Sequence, residues 1–512
     1  MAPTKAQRAL AALIPFAAGA AFLGASLVPW MHLVGPGYLA RFAGFAAGLA
    51  VVAALVGAVL RRALRREGAL PAMLGAALVF VPTWFWNRVG EIDVILLHVD
   101  TLRADHCSVY GYERRTTPHL ERFAAEHAVL FRTFIAQSAG TDKSTPAILA
   151  SIYPSMFYDP GTDGSNFLVP DRFPLAGEYL RDAGYVSLGF SSNPVIGSRY
   201  NYPRGFTHFE ELWHDEPRPA ALVSHLRSRI EALDRHYFYF GLILDPHSPY
   251  APAEGFNVYA EDPALTYEEI GQRVFAGDDL ELYLRPSIDL YDGEILEVDA
   301  ALGTLIEWLE ESGRMDHTML IVTSDHGEAF LEHGFIGHGG TLFEEVIHVP
   351  LLWSFPSPLR FPRLEPSVRD VAPVASQVDL LPTILGFLGQ DIPRDTIQGD
   401  DLTPRLFGRE PWPERAILSE ELGDGVETRS LRSDRYKLVE RRNEDGTWTR
   451  VVVDLVASPD ERDLVAEGEL VERLLADLHA RLDAARGHYA PKEQAQALTA
   501  DEAQELRDLG YF

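Results

Sequence analysis

"DVILLHVDT", residues 93–101, decides the fold. A short apolar run without polar alternation is the pattern of a strand buried on both faces, and this one stops abruptly at Asp100 and Thr101. Working outward, the same strand type recurs in "YFYFGLILD" at 237–245 and in "HTMLIVTSDHG" at 317–327. Between the first two lies "TTPHLERFAAEHAVLF" at 116–131, with helical spacing that Thr117 and Pro118 open. Strands of this kind alternating with helices predict an α/β domain whose mostly parallel sheet is sandwiched by helices. Ligands of such sheets sit beyond the carboxyl ends of the strands.

Three strand ends finish in polar chemistry: Asp100 after the first, Asp245 and His247 after the second, Asp325 and His326 after the third. A single Asp at such a place is an ordinary turn residue. Three clusters at three strand ends are expected to meet in one crevice. Mixed carboxylate and imidazole donors suit one divalent cation such as Zn or Mn better than Ca, which prefers an all-oxygen shell.

Charge divides the chain. The net charge is −29, yet residues 1–90 hold eight basic residues against the single acidic Glu67, a net of +7 that leaves −36 on the rest. So acidic a body excludes nucleic acid as a partner, because neutralising phosphates needs clustered Lys and Arg. The lone cysteine, Cys107, rules out an intramolecular disulfide and is expected as a small buried residue.

The first ninety residues are expected to form a membrane anchor. Stretches 9–34, 42–60 and 69–87 contain no Asp, Glu, Lys or Arg, and each is near the roughly 20 residues that span a hydrocarbon core. The first is too long for a signal-peptide core, and two further apolar stretches follow it. Lys5, Arg8 and the "RRALRRE" loop place the N-terminus in the cytoplasm by the positive-inside rule. The domain after Trp86 is then expected outside the cell membrane, on a stalk "NRVGEI". The expected division is 1–90 anchor, 91–395 catalytic domain and 396–512 C-terminal subdomain.

"VILLHVDTLRADHCSVYGYERRTTPHLERFAAEHAVLF", "LDPHSPYAP", "YDGEILEVDAALGTLIEWLEESG", "IVTSDHGEAFLEHGFIGHGGTLFEEVIHVPLL" and the closing "DEAQELRDLGYF" resemble, in order, the sulfatase family of the alkaline phosphatase superfamily. The resemblance covers about residue 91 to the end. It implies a metal-dependent hydrolase or transferase of sulfate or phosphate esters. Asp100 matches the family's first metal ligand, and Asp325 with His326 its later pair. Thr101 stands where many sulfatases carry a second Asp, which favours a smaller coordination shell. His326 stands where Ca-dependent members usually have Asn, which points to Zn or Mn.

The resemblance also places "AGTDKSTPAILASIYP", residues 139–154. Sulfatases carry Cys-x-Pro-x-Arg or Ser-x-Pro-x-Arg here and convert the Cys or Ser to formylglycine. This chain has Thr141, Lys143 and Thr145 at the three motif positions, so formylglycine is not expected. In the phosphoglycerol and phosphoethanolamine transferases of the superfamily a Thr at this position is the metal-bound nucleophile. Thr141 is therefore expected both to bind metal and to attack, at a helix N-terminus that favours an anion. Lys143 is expected either to supply the catalytic-site charge that the missing motif Arg would have given or to lie exposed in solvent. His247 and His338 match positions that hold that group and protonate the leaving oxygen. An alternative gives Asp245, His247 and His338 a second metal. His98, His106 and His333 are expected to be structural.

The expected function is a membrane-anchored phosphoric ester hydrolase or transferase with a lipid or glycan ester as substrate. The alternatives are a sulfuric ester hydrolase working without formylglycine, or a non-catalytic member. A basic patch of Arg103, Arg114, Arg115 and Lys143 is expected to offset the acidic body locally. "IEALDRHYF" and "DAALGTLIEWLEESG" read as amphipathic helices, and "QVDLLPTILGFLG" as a further helix. "RSDRYKLVERRNEDGTWTRVVVDL" reads as short antiparallel strands around an Asp-Gly turn, and "ELVERLLADLHARLDAARG" as a docking helix.

Overall fold

The computed structural model describes residues 92–158, 168–215, 217–275, 281–356, 369–423, 425–465 and 468–489. The three expected spans, most of the stalk and the closing "DEAQELRDLGYF" lie outside the described residues. Among the described residues no helix is long and apolar enough to cross a membrane. Of two compact units, the larger comprises Asp93–Leu385, Ile392–Leu402 and Trp412–Phe512, and it carries every site residue discussed below. The smaller includes the described segments Gly386–Asp391 and Thr403–Pro411.

The main sheet has eight strands: β1 (Asp93–Val99), β2 (Ala128–Phe131), β3 (Val186–Ser191), β4 (His208–Glu211), β5 (Tyr237–Ile243), β6 (Thr318–Ser324), β7 (Leu351–Ser354) and β8 (Asp370–Val371). Their order is β8-β2-β7-β6-β1-β5-β3-β4. All neighbours run parallel except β7, which is antiparallel to β2 and β6. The "DVILLHV" strand is thus central, with β5 on one side and β6 on the other. Val99 pairs with Ile243 of β5 and with Ser324 of β6. That common register brings the residues after all three strands out side by side, as the three polar strand ends require.

Helices α1 (Pro118–Glu126), α2 (Thr141–Ala150), α3 (Pro219–Glu231) and α4 (Glu281–Glu311) follow in chain order. Ile95, Leu97 and Val99 of β1 pack with Leu120 and Phe123 of α1, Leu226 and Ile230 of α3, and Ile295 and Leu302 of α4 in one apolar core. By the two-residue period of a strand, Val94, Leu96 and His98 then face the opposite side. Thr117 precedes α1, but its hydroxyl accepts a bond from the Val109 N–H rather than capping the helix. The buried carboxylate of Asp299, on α4, accepts from the first-turn N–H groups of His119 and Leu120 at 2.8 and 2.9 Å.

The expected helix "IEALDRHYF" is corrected. α3 ends at Glu231, and Tyr237 and Phe238 open β5. The helical spacing runs into an unbroken aromatic run, whose bulky rings fill a central strand instead. "DAALGTLIEWLEESG" lies mostly within α4, and "QVDLLPTILGFLG" is a short 3₁₀ turn followed by a helix over Leu380–Phe387. Strands β9 (Ala416–Gly423), β10 (Val426–Ser433), β11 (Tyr436–Arg442) and β12 (Trp448–Asp454) form the small antiparallel sheet. Helix α5 (Glu469–Arg486) lays Val471, Leu474, Leu475, Leu478 and Leu482 on Leu418, Leu431, Leu438 and Val452 of that sheet.

Candidate active site

Asp100, Asp325 and His326 emerge from adjacent strands, fully buried, with donor atoms close enough to share one ion. His326 donates its Nδ1–H to the Gly327 carbonyl at 2.9 Å, which leaves the Nε2 lone pair facing the two carboxylates. Asp325 Oδ1 accepts from the backbone N–H groups of Thr101 and His326 at 3.2 and 2.8 Å. Its Oδ2 is buried without a hydrogen-bond partner, 3.4 Å from His326 Nε2. Asp100 Oδ2 accepts from Asn193 Nδ2 at 2.6 Å. Burial and the facing Asp325 push the Asp100 carboxyl up; burial also opposes the charge of Asp325, but His326 and His98 hold it well below the usual range. Two buried carboxylates and an imidazole nitrogen whose ligand atoms lie within reach of one point are what a divalent cation requires, so the donor set fits one.

Thr141 opens α2, after Gly140 at the N-cap position, and is 1% exposed. Its hydroxyl lies 3.2 Å from His326 Nε2 and 3.5 Å from Asp100 Oδ1. The residue expected as nucleophile, the helix N-terminus and the three donors therefore coincide. The loop leading into the helix is held by Glu421 of β9, whose Oε2 accepts from Ser138 Oγ at 2.5 Å and from Ala139 N at 3.0 Å. Thr101, the residue after Asp100, takes φ 52°, a left-handed conformation that strains a β-branched residue. Tyr291 of α4 braces that turn by donating to the Thr101 carbonyl at 2.7 Å and accepting from Arg103 N at 3.0 Å.

The two expected proton-handling histidines stand beside the donors. The His338 ring centroid is 4.5 Å from that of His326 and 4.9 Å from that of His247. Burial opposes the charge of His338, but buried Glu328 beside it, 3.3 Å from Nδ1, raises its pKa overall. Burial and neighbouring His338 lower His247 to about 4, so His247 is neutral at ordinary pH. The second-metal alternative finds no support: among the described residues, Asp245, His247 and His338 do not form a cluster with metal-ligand spacing. Asp245 is pushed up to about 6 by burial, against the pull of Arg218.

Lys143 is 8% exposed, which removes the solvated alternative. Its ammonium lies 2.9 Å from Asp142 Oδ2 and 3.1 Å from Glu421 Oε1. The expected basic patch is likewise corrected. Arg103 pairs with Asp105 and Glu332, Arg114 with Asp289 and Asp292, Arg115 with Glu121, so each cation is already answered by carboxylates. Cys107 is buried as expected. His106 and His333 are held by Asp292 and Glu345, in line with structural roles. His98 is fully buried with its Nε2 3.3 Å from Asp325 Oδ2.

Four functional neighbours escaped the sequence reading. Asn193 follows β3, and the strand-end rule that picked out Asp100 would have found it. Glu328 lies three residues past Asp325 in a stretch already singled out, but nothing in spacing showed that it would meet His338. Glu421 and Gln377 reach the site from far along the chain, Gln377 by donating to the Ser324 and Asp325 carbonyls at 2.9 and 2.5 Å.

Comparison with known proteins extends the geometry. A family model described as Sulfatase matches residues 92–390. Human arylsulfatase A is 30% identical over 375 residues, 64% of this chain and 70% of the relative. The endo-4-O-sulfatase of Bacteroides thetaiotaomicron is 28% identical over 212 residues, 40% of this chain, and the match spans only 39% of that relative's length. Among solved structures, the phosphonate monoester hydrolase of Agrobacterium radiobacter superposes with a TM-score of 0.59 at 21% identity, covering 80% of this chain and 99% of its own. With its family model covering more than half of the chain, the protein belongs to the sulfatase family, and it shares its fold with that structure.

Proposed function

We propose that the protein cleaves or transfers a phosphoric ester with Thr141 as nucleophile, in a catalytic domain held outside the cell membrane by three N-terminal spans. The observation that carries this reading is the Thr141 hydroxyl between His326 and Asp100 at the start of a helix. Thr cannot become formylglycine, yet a Thr hydroxyl at a helix N-terminus is a competent oxygen nucleophile when its proton is removed. Asp100, Asp325, His326 and Thr141 would hold one divalent cation, Zn or Mn over Ca, which when bound lowers the hydroxyl pKa and offsets charge on the ester oxygens.

The remaining steps belong to the chain's own groups. Thr141 Oγ1, its proton released to solvent, forms the bond to phosphorus as the bond to the alcohol breaks. His338, whose hold on a proton Glu328 strengthens against the effect of burial, gives its proton to the departing oxygen. Neutral His247 donates from one ring nitrogen to the Ser248 carbonyl and turns the other side of the ring to His338, where it orients the transferred group. Water or an acceptor hydroxyl then displaces Thr141, with His338 taking the proton back. Lys143, neutralised by Asp142 and Glu421, fixes the start of the helix and leaves the anion to the cation and the helix.

Sulfuric ester hydrolysis is the second reading. It is favoured by the relatives, since arylsulfatase A and the endo-4-O-sulfatase are named for sulfate esters. A pair of aryl substrates, a phosphodiester and a sulfate, separates the two in the full-length protein. The phosphodiester is expected to turn over faster, with activity lost on chelation and restored by Zn or Mn. Faster turnover of the sulfate would transfer the assignment to the second reading, and no turnover of either in metal-loaded protein would contradict both.

A further inference from the structure

His98 interrupts the apolar run of β1, and it is fully buried. Side chains of a strand alternate between its faces, so His98 stands on the face of Asp100, two residues on. In register it pairs with Thr323 of β6, which lies two residues before Asp325. The imidazole is therefore one pleat below the donors, and its Nε2 lies 3.3 Å from Asp325 Oδ2. Among the described residues, neither ring nitrogen of His98 has a well-formed hydrogen bond, and Asp325 Oδ2 has none either. The Phe240 ring, its centroid 6.2 Å from that of His98, gives the imidazole an apolar neighbour that accepts nothing in the ring plane. A polar ring so placed in a central strand has Asp325 as its evident counterpart.

Counting lone pairs assigns the contact. Asp325 Oδ1 is already engaged by the backbone N–H groups of Thr101 and His326 and, at 3.4 Å, by the Ser324 hydroxyl. Metal binding by Asp325 thus falls to Oδ2, which has two lone pairs to share. That oxygen faces His326 Nε2 at 3.4 Å and His98 Nε2 at 3.3 Å. His326 presents a lone pair there, because its hydrogen is on Nδ1, bonded to the Gly327 carbonyl. The donor atoms of Asp100, Asp325 and His326 all lie within 4.8 Å of one another, and His98 is not in that cluster. A hydrogen on His98 Nε2, aimed at the second lone pair of Oδ2, is the arrangement that fits.

We propose that His98 is a positioning residue of the metal centre: its Nε2–H holds Asp325 Oδ2 and leaves that oxygen one lone pair for the cation. Asp325 then binds through a single oxygen, which suits the small shells of Zn and Mn better than the larger shell of Ca. The assignment rests on the proposed metal centre. Its test is a chelator-competition titration of Zn and Mn into full-length wild type, His98→Gln and His98→Leu, with thermal unfolding of each metal-free protein. His98→Leu is expected to bind both metals about 10–100-fold more weakly, as loss of a group that orients a ligand does. Its metal-free form is expected to unfold no earlier than wild type, because an apolar side chain replaces a buried imidazole without a well-formed bond. His98→Gln, which keeps an N–H at similar reach, is expected to bind closer to wild type than to His98→Leu. His98→Met, also without a donor, repeats the comparison with a flexible side chain should His98→Leu fail to fold. Wild-type affinity in the donorless variants overturns the proposal, and so does an equal loss in His98→Gln, which would make the imidazole itself a ligand. Wild type that binds neither metal overturns the metal centre and this assignment with it, whereas turnover of the two aryl substrates tests the Thr141 reading separately.

Discussion

Thr141 has its hydroxyl 3.2 Å from an imidazole lone pair and 3.5 Å from a buried carboxylate, a placement that an ordinary helix-opening threonine does not need. Thr141→Ser keeps the oxygen and is expected to retain turnover within roughly tenfold, whereas Thr141→Ala is expected to lose roughly 1,000-fold or more. His338 has a different signature. If it protonates the departing oxygen, His338→Gln lowers turnover of alkyl esters roughly 100-fold or more and that of nitrophenyl esters much less, because a nitrophenolate leaves without a proton. A leaving-group series compared between the two proteins reads that difference directly. Asp245 gives a pH prediction away from the donors. Its folded pKa is raised from 3.8 to about 6, so its contribution is full below pH 4 and is lost as pH rises through about 6. Asp245→Asn is expected to remove that part of the decline in stability between pH 4 and 6, as denaturant titrations at several pH values would show. At this scale the sequence displayed the residues whose chemistry is local, such as Asp100, Asp325 and His326, because each directly ends a buried strand. The partners that tune them, Glu328 and Asn193, are fixed only by folding.

At the scale of elements, the site exists because β5, β1 and β6 share one register and end together. Gly327, directly after the donor pair, has no room for a side chain: a Cβ there would lie 2.1 Å from the Glu345 carbonyl oxygen. Gly327→Ala is expected to destabilise by about 1–3 kcal/mol through the forced backbone shift and to weaken metal affinity more than Gly334→Ala, tested at an open turn. Glu421 links β9 to the segment before Thr141 and to Lys143. Glu421→Gln removes one of the two carboxylates facing a buried ammonium, leaving Asp142, and is expected to cost about 1.5–3 kcal/mol, measured by urea unfolding. Strand type and order class were legible in "DVILLHVDT" and its two counterparts, because unbroken apolar runs have few other uses. The boundary between α3 and β5 was not, since helical spacing and an aromatic strand overlap in "IEALDRHYF". Nor was the reach of β9 into the site, because a contact between Glu421 and Ser138 leaves no trace in local pattern.

For the whole molecule, the proposed arrangement of three N-terminal spans and an acidic catalytic domain outside the cell membrane is open to a direct test. The anchor is read from the charge-free stretches at 9–34, 42–60 and 69–87, so alkaline washing is expected to leave the full-length protein in the membrane fraction and to release a form beginning at residue 91. Recovery of the full-length protein in the wash would overturn that arrangement. The expected basic patch failed at this scale for an instructive reason: clustered Arg residues in an acidic chain find carboxylates within the fold, as Arg103 and Arg114 do. Sequence proximity shows charge but not its pairing. The central claim remains the covalent use of Thr141, and trapping it is the most direct test. Metal-loaded enzyme turning over an aryl phosphodiester is acid-quenched, digested and analysed by mass spectrometry. The account predicts a phosphoryl group on the Thr141 peptide that Thr141→Ala lacks. Undiminished turnover by Thr141→Ala, or a label on any other residue, would contradict it.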